Sequence, residues 1–162
     1  MTIYRDVVGS AAWDALPPVL HAMHEKGGDG TFTVTSRGMA RLFSVLGFAP
    51  SPGTVAVTLR IEKTDRGERW VRSFRGEVFA SEQRLVRGLL AERYGVIEMD
   101  FKIAARGVTL YYEVMAIRLF GLTLPPWMRP HAEASERADG PRVSITVSIG
   151  KSFRYTGTIT PR

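Results

Sequence analysis

The pattern of apolar positions changes near residue 53. Before it, apolar side chains recur at three- and four-residue spacing, the period of a helix with one apolar face: Trp13, Leu16, Leu20 and Met23. Pro17 and Pro18 lie inside this pattern, and proline removes a helical hydrogen bond. The pattern therefore predicts a helix that begins near Ser10 and is kinked or restarted at the two prolines.

Glycine-rich residues 27–30 are predicted to form a loop that ends this helix. Residues 31–35 alternate as a short strand. Residues 38–47 predict a second short helix that buries Met39, Leu42, Phe43 and Leu46, and residues 49–53 form a turn rich in proline. The first fifty residues are therefore predicted to be a helical cap.

After Gly53 the apolar period becomes two, the signature of half-buried strands. Val55, Val57, Leu59 and Ile61 alternate with polar residues, and residues 143–149 repeat the pattern. Turn signals separate further predicted strands at 68–75, 76–83, 85–94, 97–103, 108–119, 131–137 and 153–160. Residues 121–130 form a proline-rich connection between two of these strands.

Eight or nine short strands joined by short turns predict a mainly β fold, an antiparallel up-and-down, calycin-like barrel with two short N-terminal helices. A helix-grip-like α+β fold is the alternative, but it requires a long C-terminal helix and this chain ends in predicted strands. We expect one domain over residues 1–162, with a helical cap over about 1–50 and a β region over about 53–160.

The amino-acid composition excludes only a few classes of function. The chain has no cysteine, which excludes a disulfide framework and a cysteine nucleophile and fits the cytosol. No apolar run approaches the roughly 20 residues of a membrane-spanning helix, so we expect a soluble, cytoplasmic protein with no membrane span. The net charge is +6. The 18 arginines and 4 lysines are spread along the chain among 16 acidic residues. This dispersal argues against nucleic-acid binding, which favours clustered cations with aromatic side chains between them.

Motifs for known chemistry are absent from the sequence. No phosphate-binding loop, dinucleotide fingerprint, nucleophile elbow or zinc-protease motif occurs, so we expect no cofactor. His21 and His24 are three residues apart on the predicted helix, a spacing that two metal ligands can share. No third ligand is marked nearby, and surface or packing histidines are the favoured interpretation, so we expect no metal.

One predicted strand carries the strongest candidate for a binding site. Trp70, Arg72 and Phe74 share one of its faces. If that face is interior, Arg72 is a buried cation that needs a carboxylate partner or the anionic group of a ligand. Glu92 and Glu113 are candidate partners, and Tyr111 and Met115 flank Glu113. In the alternative, Arg72 points to solvent and Val71 points inward.

Two other features add candidate residues. His131 and Glu133 lie on the same side of a predicted strand and are able to act as an acid–base pair or to form an exposed ion pair. The apolar connection that contains Trp127 and Met128 either covers the mouth of the barrel and touches a ligand, or packs across one end of the core.

Six stretches, taken in order, resemble the bacterial domain of unknown function 4166 family. They are YRDVVG at 4–9, LPPVL at 16–20, GERWVRSF at 67–74, LAERYG at 90–95, GLTLP at 121–125 and YTG at 155–157. The resemblance covers nearly the whole chain and rests on the ordered set rather than on one motif. It implies a recurring set of residues that form either a site or a framework: Glu68, Trp70, Arg72, Phe74, Glu92, Pro125, Glu133 and Tyr155.

Family members resemble this chain as single domains or as fusions behind NAD(P)-binding, dehydrogenase-like domains. The resemblance implies such a protein as a partner, but no activity and no catalytic residue. Redox chemistry does not carry over, because this chain has no dinucleotide fingerprint.

Three hypotheses follow. The first is a small-molecule-binding domain for an apolar or amphipathic ligand with an anionic group, and its binding residues are Trp70, Arg72, Phe74, Tyr111, Met115, Trp127 and Tyr155. The second is an acid–base enzyme of unknown reaction that uses Glu92, Glu113, His131 or Glu133. The third is an accessory module that docks on a dehydrogenase-like partner through residues 122–128.

Overall fold

Alternating inward and outward side chains build a ring of strands beneath three short helices. The computed structural model describes residues 2–37 and 52–162. The helices are α1 (Tyr4–Val8), α2 (Ser10–Asp14) and α3 (Pro18–Lys26). The strands are β1 (Gly28–Ser36), β2 (Gly53–Thr64), β3 (Gly67–Phe74), β4 (Glu77–Val86), β5 (Leu89–Tyr94), β6 (Ile97–Arg106), β7 (Thr109–Leu119), β8 (Leu122–Thr123), β9 (Ala132–Asp139), β10 (Arg142–Ile149) and β11 (Phe153–Pro161).

Ten of these strands close into an antiparallel barrel. Consecutive strands pair from β1 to β7, β7 pairs with β9, and β11 returns to pair with β1. The two-residue strand β8 pairs only with β7. The predicted up-and-down barrel is confirmed, with ten barrel strands among the described residues instead of eight or nine. Because β11 pairs with β1 and closes the ring, the sheet of the described residues is a barrel rather than the open sheet of the helix-grip alternative.

The helices cover one end of the barrel. Helix α1 packs against β5 and β6, and α3 packs against β2, β9, β10 and β11. Leu20 and Met23 of α3 are completely buried in the same core cluster as the inward side chains of the strands. We call this the helical end. The opposite, distal end carries the β3–β4, β5–β6, β7–β8 and β10–β11 turns. None of the described helices is long and apolar enough to cross a membrane.

Glycines allow the first and last strands to approach closely where the ring closes. A Cβ atom on Gly30 would lie 1.9 Å from the carbonyl oxygen of Thr158, and one on Gly157 would lie 2.1 Å from that of Thr31. Both contacts are with backbone, which cannot move aside as a side chain can. Glycine at these two positions is therefore a condition of barrel closure.

Several predicted boundaries need correction. Residues 27–30, predicted to be a loop, include the beginning of β1 at Gly28, because these glycines pair with both β2 and β11. The strands predicted at 76–83 and 85–94 are β4 and β5, separated by a turn at Arg87 and Gly88. The predicted break at the two prolines separates α2 from α3. The helix predicted at 38–47 and most of the turn at 49–53 lie outside the described residues.

Glu68, at the beginning of β3, attaches the N-terminus to the barrel. Its carboxylate accepts hydrogen bonds from the backbone N–H of Ile3 at 2.9 Å, from Nζ of Lys63 at 2.6 Å and from Nε1 of Trp70 at 3.1 Å. Burial by itself raises the pKa of Glu68, but these donors and Thr2 outweigh it and hold the pKa below 4.5. Glu68 is therefore an ionised group that fixes helix α1 over the barrel.

We expect Glu68→Ala to lower the free energy of unfolding by about 2–3 kcal/mol, because it leaves a buried N–H of Trp70 and the N-terminal segment without their acceptor. Urea denaturation at neutral pH measures this. The control is Glu62→Ala on the neighbouring strand, since Glu62 forms an exposed pair with Arg69 and an exposed pair contributes less than about 1 kcal/mol. Equal losses in the two variants would contradict this role for Glu68.

Candidate functional site

Strand β3 directs four alternate side chains into the barrel. Glu68, Trp70 and Phe74 are buried, and Arg72 lies between Trp70 and Phe74 on the same face. Neighbouring inward positions on β4 and β5 supply Ser81, Gln83, Glu92 and Tyr94. The sequence left open whether Arg72 points inward or to solvent; in the structure it points into the barrel.

The guanidinium of Arg72 donates hydrogen bonds to three neighbouring side chains. Nη1 donates to Oγ of Ser81 and to the hydroxyl of Tyr94, each at 3.0 Å, and Nη2 donates to Oε1 of Glu92 at 3.2 Å. The guanidinium carbon also lies 5.1 Å from the ring centre of Trp70, within the range of a cation–π interaction. Of the two partners proposed from the sequence, Glu92 is the one that contacts Arg72.

Glu92 receives all of its hydrogen bonds on one oxygen. Ser81 and Tyr94 donate to Oε1 at 2.7 Å each, and Gln83 donates to it at 3.0 Å. Burial by itself raises the pKa of Glu92, but Arg72 and these three donors outweigh it and hold the pKa below 4.5. Glu92 is therefore an ionised carboxylate whose Oε2 accepts no hydrogen bond from the described residues.

Arg72 retains hydrogen-bonding capacity. A guanidinium has five N–H groups, and three hydrogen bonds from Arg72 are formed within the described part of the chain. The side chain is 16% exposed, so solvent reaches it inside the barrel. Tyr155 of β11 faces the same charges, and burial raises its pKa to about 12. Arg72 and Glu92 thus keep N–H donors and an acceptor oxygen that no described residue uses.

The barrel interior is packed less completely toward the distal end. Inward side chains nearer the helical end, such as Leu59, Trp70, Leu90 and Val143, are almost completely buried. Several inward side chains nearer the distal end are only half-buried: Phe79, Tyr94, Met99, Val114, Val147, Ile149 and Tyr155. Other inward side chains near the same end, Val34, Val55, Phe74 and Phe153, are buried. Solvent therefore reaches only part of the distal interior in the described part of the chain.

A cleft lies at the surface of the barrel where β7 and β9 separate. The two strands pair only from Thr109 to Glu113, and beyond Glu113 the outer part of β7 pairs with β8 instead. The resulting cleft has a volume of about 660 Å³, within the range of small-molecule sites. Both inward residues, such as Tyr112 and Val114, and outward residues, such as Thr146 and Ser148, line it.

Three of the four acid–base candidates lie in this cleft. Nε2 of His131 is 2.8 Å from Oε1 of Glu133, and Glu113 stands opposite Glu133 in the strand register. The side chains of His131 and Glu133 are 81% and 70% exposed, so they form a surface ion pair at the rim. Glu92, the fourth candidate, is on the interior wall of the barrel, so the structure does not bring all four together.

Three residues predicted to bind a ligand with Arg72 lie away from it in the structure: Tyr111, Met115 and Trp127. Alternation along β7 points Tyr112 and Val114 inward and Tyr111 outward. A bulge in the β6–β7 pairing leaves Met115 unpaired at the surface. Trp127 belongs to a 3-10 helix, Pro126–Met128, and is 83% exposed. The apolar connection therefore does not pack across the core.

A second buried polar group was not predicted from the sequence. Nε2 of His24, on α3, is 2.7 Å from Oε2 of Glu136, on β9, and the ring centres of His24 and Tyr4 are 4.0 Å apart. This contact attaches α3 to the barrel. A signal existed in the sequence, since Glu136 shares a strand face with Ala132, Ala134 and Ala138. His21 contacts the carbonyl oxygen of Trp13 instead. Within residues 2–37 and 52–162 no group of three or more His, Asp or Glu is arranged to hold a metal ion.

Comparison with protein families identifies the relatives of this barrel. The model of a domain of unknown function, DUF4166, matches residues 16–159. The chain belongs to the DUF4166 family. The resemblance seen in the sequence is thereby confirmed, and the matched region of this DUF4166 domain includes the Arg72 network, the cleft and all of the strands except the end of β11. No curated protein sequence matches the chain significantly.

Solved structures similar to the DUF4166 domain come from Ramazzottius varieornatus. A secretory abundant heat soluble protein is 14% identical, with a TM-score of 0.48 over 82% of this chain and 93% of that chain. Secretory abundant heat soluble protein 4 is 11% identical, with a TM-score of 0.41 over 83% and 94% of the two chains. At these TM-scores, no property of either protein is carried over to this one.

We expect Glu92→Gln to lower the free energy of unfolding by about 3–5 kcal/mol, because it leaves the charge of Arg72 buried without its counter-ion. The double variant Arg72→Gln/Glu92→Gln removes both charges and should lose much less. Urea denaturation of both variants and of Glu133→Gln, an exposed control, measures the effect. A double variant less stable than Glu92→Gln would contradict the pairing.

The depressed pKa values of Glu68 and Glu92 predict acid sensitivity. Both carboxyl groups stabilise the folded state fully above the unfolded value of about 4.5, and this stabilisation is lost as the pH falls through their lower folded pKa values. Between pH 6 and pH 3 the wild type should therefore lose more stability than Arg72→Gln/Glu92→Gln. Denaturation midpoints measured at half-unit pH steps test this, and parallel pH profiles would argue against an ionised Glu92.

Proposed function

We propose that this DUF4166 chain is a small-molecule-binding domain for an apolar or amphipathic ligand. Its site is the partly exposed interior around Arg72 in the distal half of the barrel, and Arg72 holds the polar head of the ligand. The observation that carries the proposal is Arg72 itself, a cation on the interior wall that solvent still reaches and that has N–H groups left to donate.

The surroundings of Arg72 support the amphipathic character of the ligand. Half-buried apolar side chains, among them Phe79, Met99, Val114 and Val147, line the same interior and would cover an apolar tail. The cleft between β7 and β9 gives such a ligand a lateral route, because its lining includes residues on both faces of the wall. Trp70, Phe74 and Tyr155 complete the apolar side of the site near Arg72.

The charge of the head group follows from Glu92. The sequence predicts an anionic group, but the ionised Glu92 lies against the same guanidinium and compensates its charge. A permanent anion would be repelled by Glu92 as well as attracted by Arg72. A hydroxyl group or a protonated carboxylic acid is able to accept from Arg72 and donate to Oε2 of Glu92. We therefore favour a ligand that is an alcohol or a weak acid.

Calorimetric titration with dodecanol, dodecanoate and dodecyl sulfate tests the site. We expect dodecanol to bind most tightly, dodecanoate to bind with uptake of a proton, and dodecyl sulfate, which stays ionised, to bind most weakly. Arg72→Gln/Glu92→Gln should bind dodecanol at least about tenfold more weakly, the effect of losing about 1.4 kcal/mol of head-group binding. Glu62→Gln/Arg69→Gln, the same pair of changes on the outer surface, should bind as the wild type does.

Native mass spectrometry of the purified protein complements the titration, because an adduct lost in the Arg72→Gln/Glu92→Gln variant gives the mass of a natural ligand. The proposal fails if none of the three probes binds, or if the interior and surface double variants bind dodecanol equally well.

A second function, acid–base catalysis, is favoured by the 2.8 Å contact between His131 and Glu133 at the rim of the cleft. If the pair acts on a ligand, the mass of the co-purified adduct should change on incubation of the wild type and stay constant in His131→Ala/Glu133→Ala. An adduct of constant mass in both would leave only the binding function. Docking on a dehydrogenase-like partner and a cytoplasmic location stay predictions.

A further inference from the structure

The exposed apolar side chains of this protein are concentrated at one end. Of eleven large hydrophobic residues that are exposed in the described part of the chain, seven lie at the distal end. They are Val78, Val96, Leu119, Phe120, Leu122, Trp127 and Met128. Phe120 and Leu122, in the β7–β8 hairpin, are 74% and 75% exposed. A soluble domain seldom groups such residues without a partner surface for them.

The hairpin is held firmly to the rest of the distal end. The N–H of Phe120 donates to the carbonyl oxygen of Val96 in the β5–β6 turn at 2.9 Å, and the N–H of Leu124 donates to Ile117 at 2.9 Å. Nη1 of Arg129 donates to the carbonyl oxygen of Met115 at 2.6 Å, which fixes the chain just after the 3-10 helix. The exposed side chains therefore project from an ordered support.

Basic side chains surround these apolar residues. Six of them lie at or next to the distal turns: Arg37, Arg75, Arg93, Arg129, Lys151 and Arg154. None of the six forms an ion pair with another described residue. Acidic residues near the same end, Glu98, Asp100 and Glu133, are paired with other basic residues, Arg118 and His131 among them, and so do not compensate these six. The positive charge at the distal end is thus available to an external anionic surface.

We propose that the distal end docks on the surface of an anionic lipid bilayer. Exposed Trp, Phe and Leu side chains insert at the level of the head groups, and Arg and Lys side chains around them are attracted to anionic lipids. Apolar residues alone would fit a protein partner equally well. The surrounding unpaired cations favour the bilayer, since an anionic membrane is both apolar and negatively charged at its interface.

Docking in this orientation would place the less completely packed half of the barrel next to the membrane. The half-buried inward residues Tyr94, Met99 and Val147 lie toward the same end as the hairpin. The side cleft is bordered by Pro126 and Arg129, which flank Trp127 and Met128 in sequence. A bilayer is also the phase in which an amphipathic ligand accumulates. The docking proposal nevertheless stands on the surface alone and does not need a ligand in the barrel.

Vesicle binding tests the proposal directly. Trp13 and Trp70 are buried and Trp127 is exposed, so a change in the environment of the distal end shifts the tryptophan emission. We expect a blue shift and co-sedimentation with vesicles of phosphatidylcholine and phosphatidylglycerol, and much less with phosphatidylcholine alone. Salt at about 0.5 M should weaken the binding, because it screens the charges.

Matched variants separate the two ends of the barrel. Arg75→Glu/Lys151→Glu at the distal end should reduce binding to anionic vesicles at least about tenfold. The control is Arg66→Glu/Arg87→Glu at the helical end. The control makes the same change in net charge. It also matches the backbone conformation, because Arg75 and Arg87 both lie in turns with positive φ, 50° and 53°. Leu122→Ser/Trp127→Ser should likewise reduce co-sedimentation, and Leu85→Ser/Val108→Ser should not.

Three results would overturn the proposal. One is no binding to anionic vesicles at low salt. The second is an equal loss of binding in the distal and helical variants. The third is a concentration-dependent dimer in light scattering that buries Trp127 without lipid, which would assign this surface to a protein interface. Failure of the ligand titrations with dodecanol would leave vesicle binding unaffected, so the two proposals are tested separately.

Discussion

Because ten strands pair into a closed ring, every second side chain of each strand points into the interior of the barrel. An inward polar group must then find its partner among other inward groups, because unpaired burial of a charge is costly. Three inward carboxylates meet this condition in three ways. Glu68 binds Lys63 and the N-terminus, Glu92 binds Arg72, and Glu136 contacts His24.

These three carboxylates differ in what they connect. Glu68 and Glu136 each join a helical segment to the barrel, through the N–H of Ile3 and through His24 on α3. They therefore explain why the helical end is closed. Glu92 joins only β3, β4 and β5 to one another and holds no helix. The network of Arg72 and Glu92 is therefore not needed to attach the helices, and solvent still reaches it. This is why we interpret this network, and not the other two, as a candidate site.

The sequence predicted the barrel because its evidence is local. Val55 to Ile61 and Val143 to Ile149 alternate without interruption, and each such pattern determines which face of a strand is inward. The shared face of Trp70, Arg72 and Phe74 follows from the same alternation, but whether that face points inward and which acid meets Arg72 did not follow from it. The fold was therefore predictable from the sequence, and the candidate site only as one of two alternatives.

The errors lie where alternation fails or where partners are distant. Residues 109–115 carry bulky side chains on both faces, so alternation alone could not decide whether the face with Tyr111 and Met115 or the face with Tyr112 and Val114 points inward. His24 and Glu136 are 112 positions apart, and no local pattern shows that they meet. Glycines at 27–30 suggested a loop, although at Gly28 and Gly30 they are required by the close approach of β11.

The two ends of the barrel differ in how their apolar side chains are covered. At the helical end three helices bury the inward side chains. At the distal end Phe120, Leu122 and Trp127 stand exposed among cations that pair with no described acid. Exposed apolar side chains such as these do not stabilise the barrel itself. Their position next to the less completely packed half of the interior is expected if this end both meets an apolar, negatively charged surface and admits molecules from it.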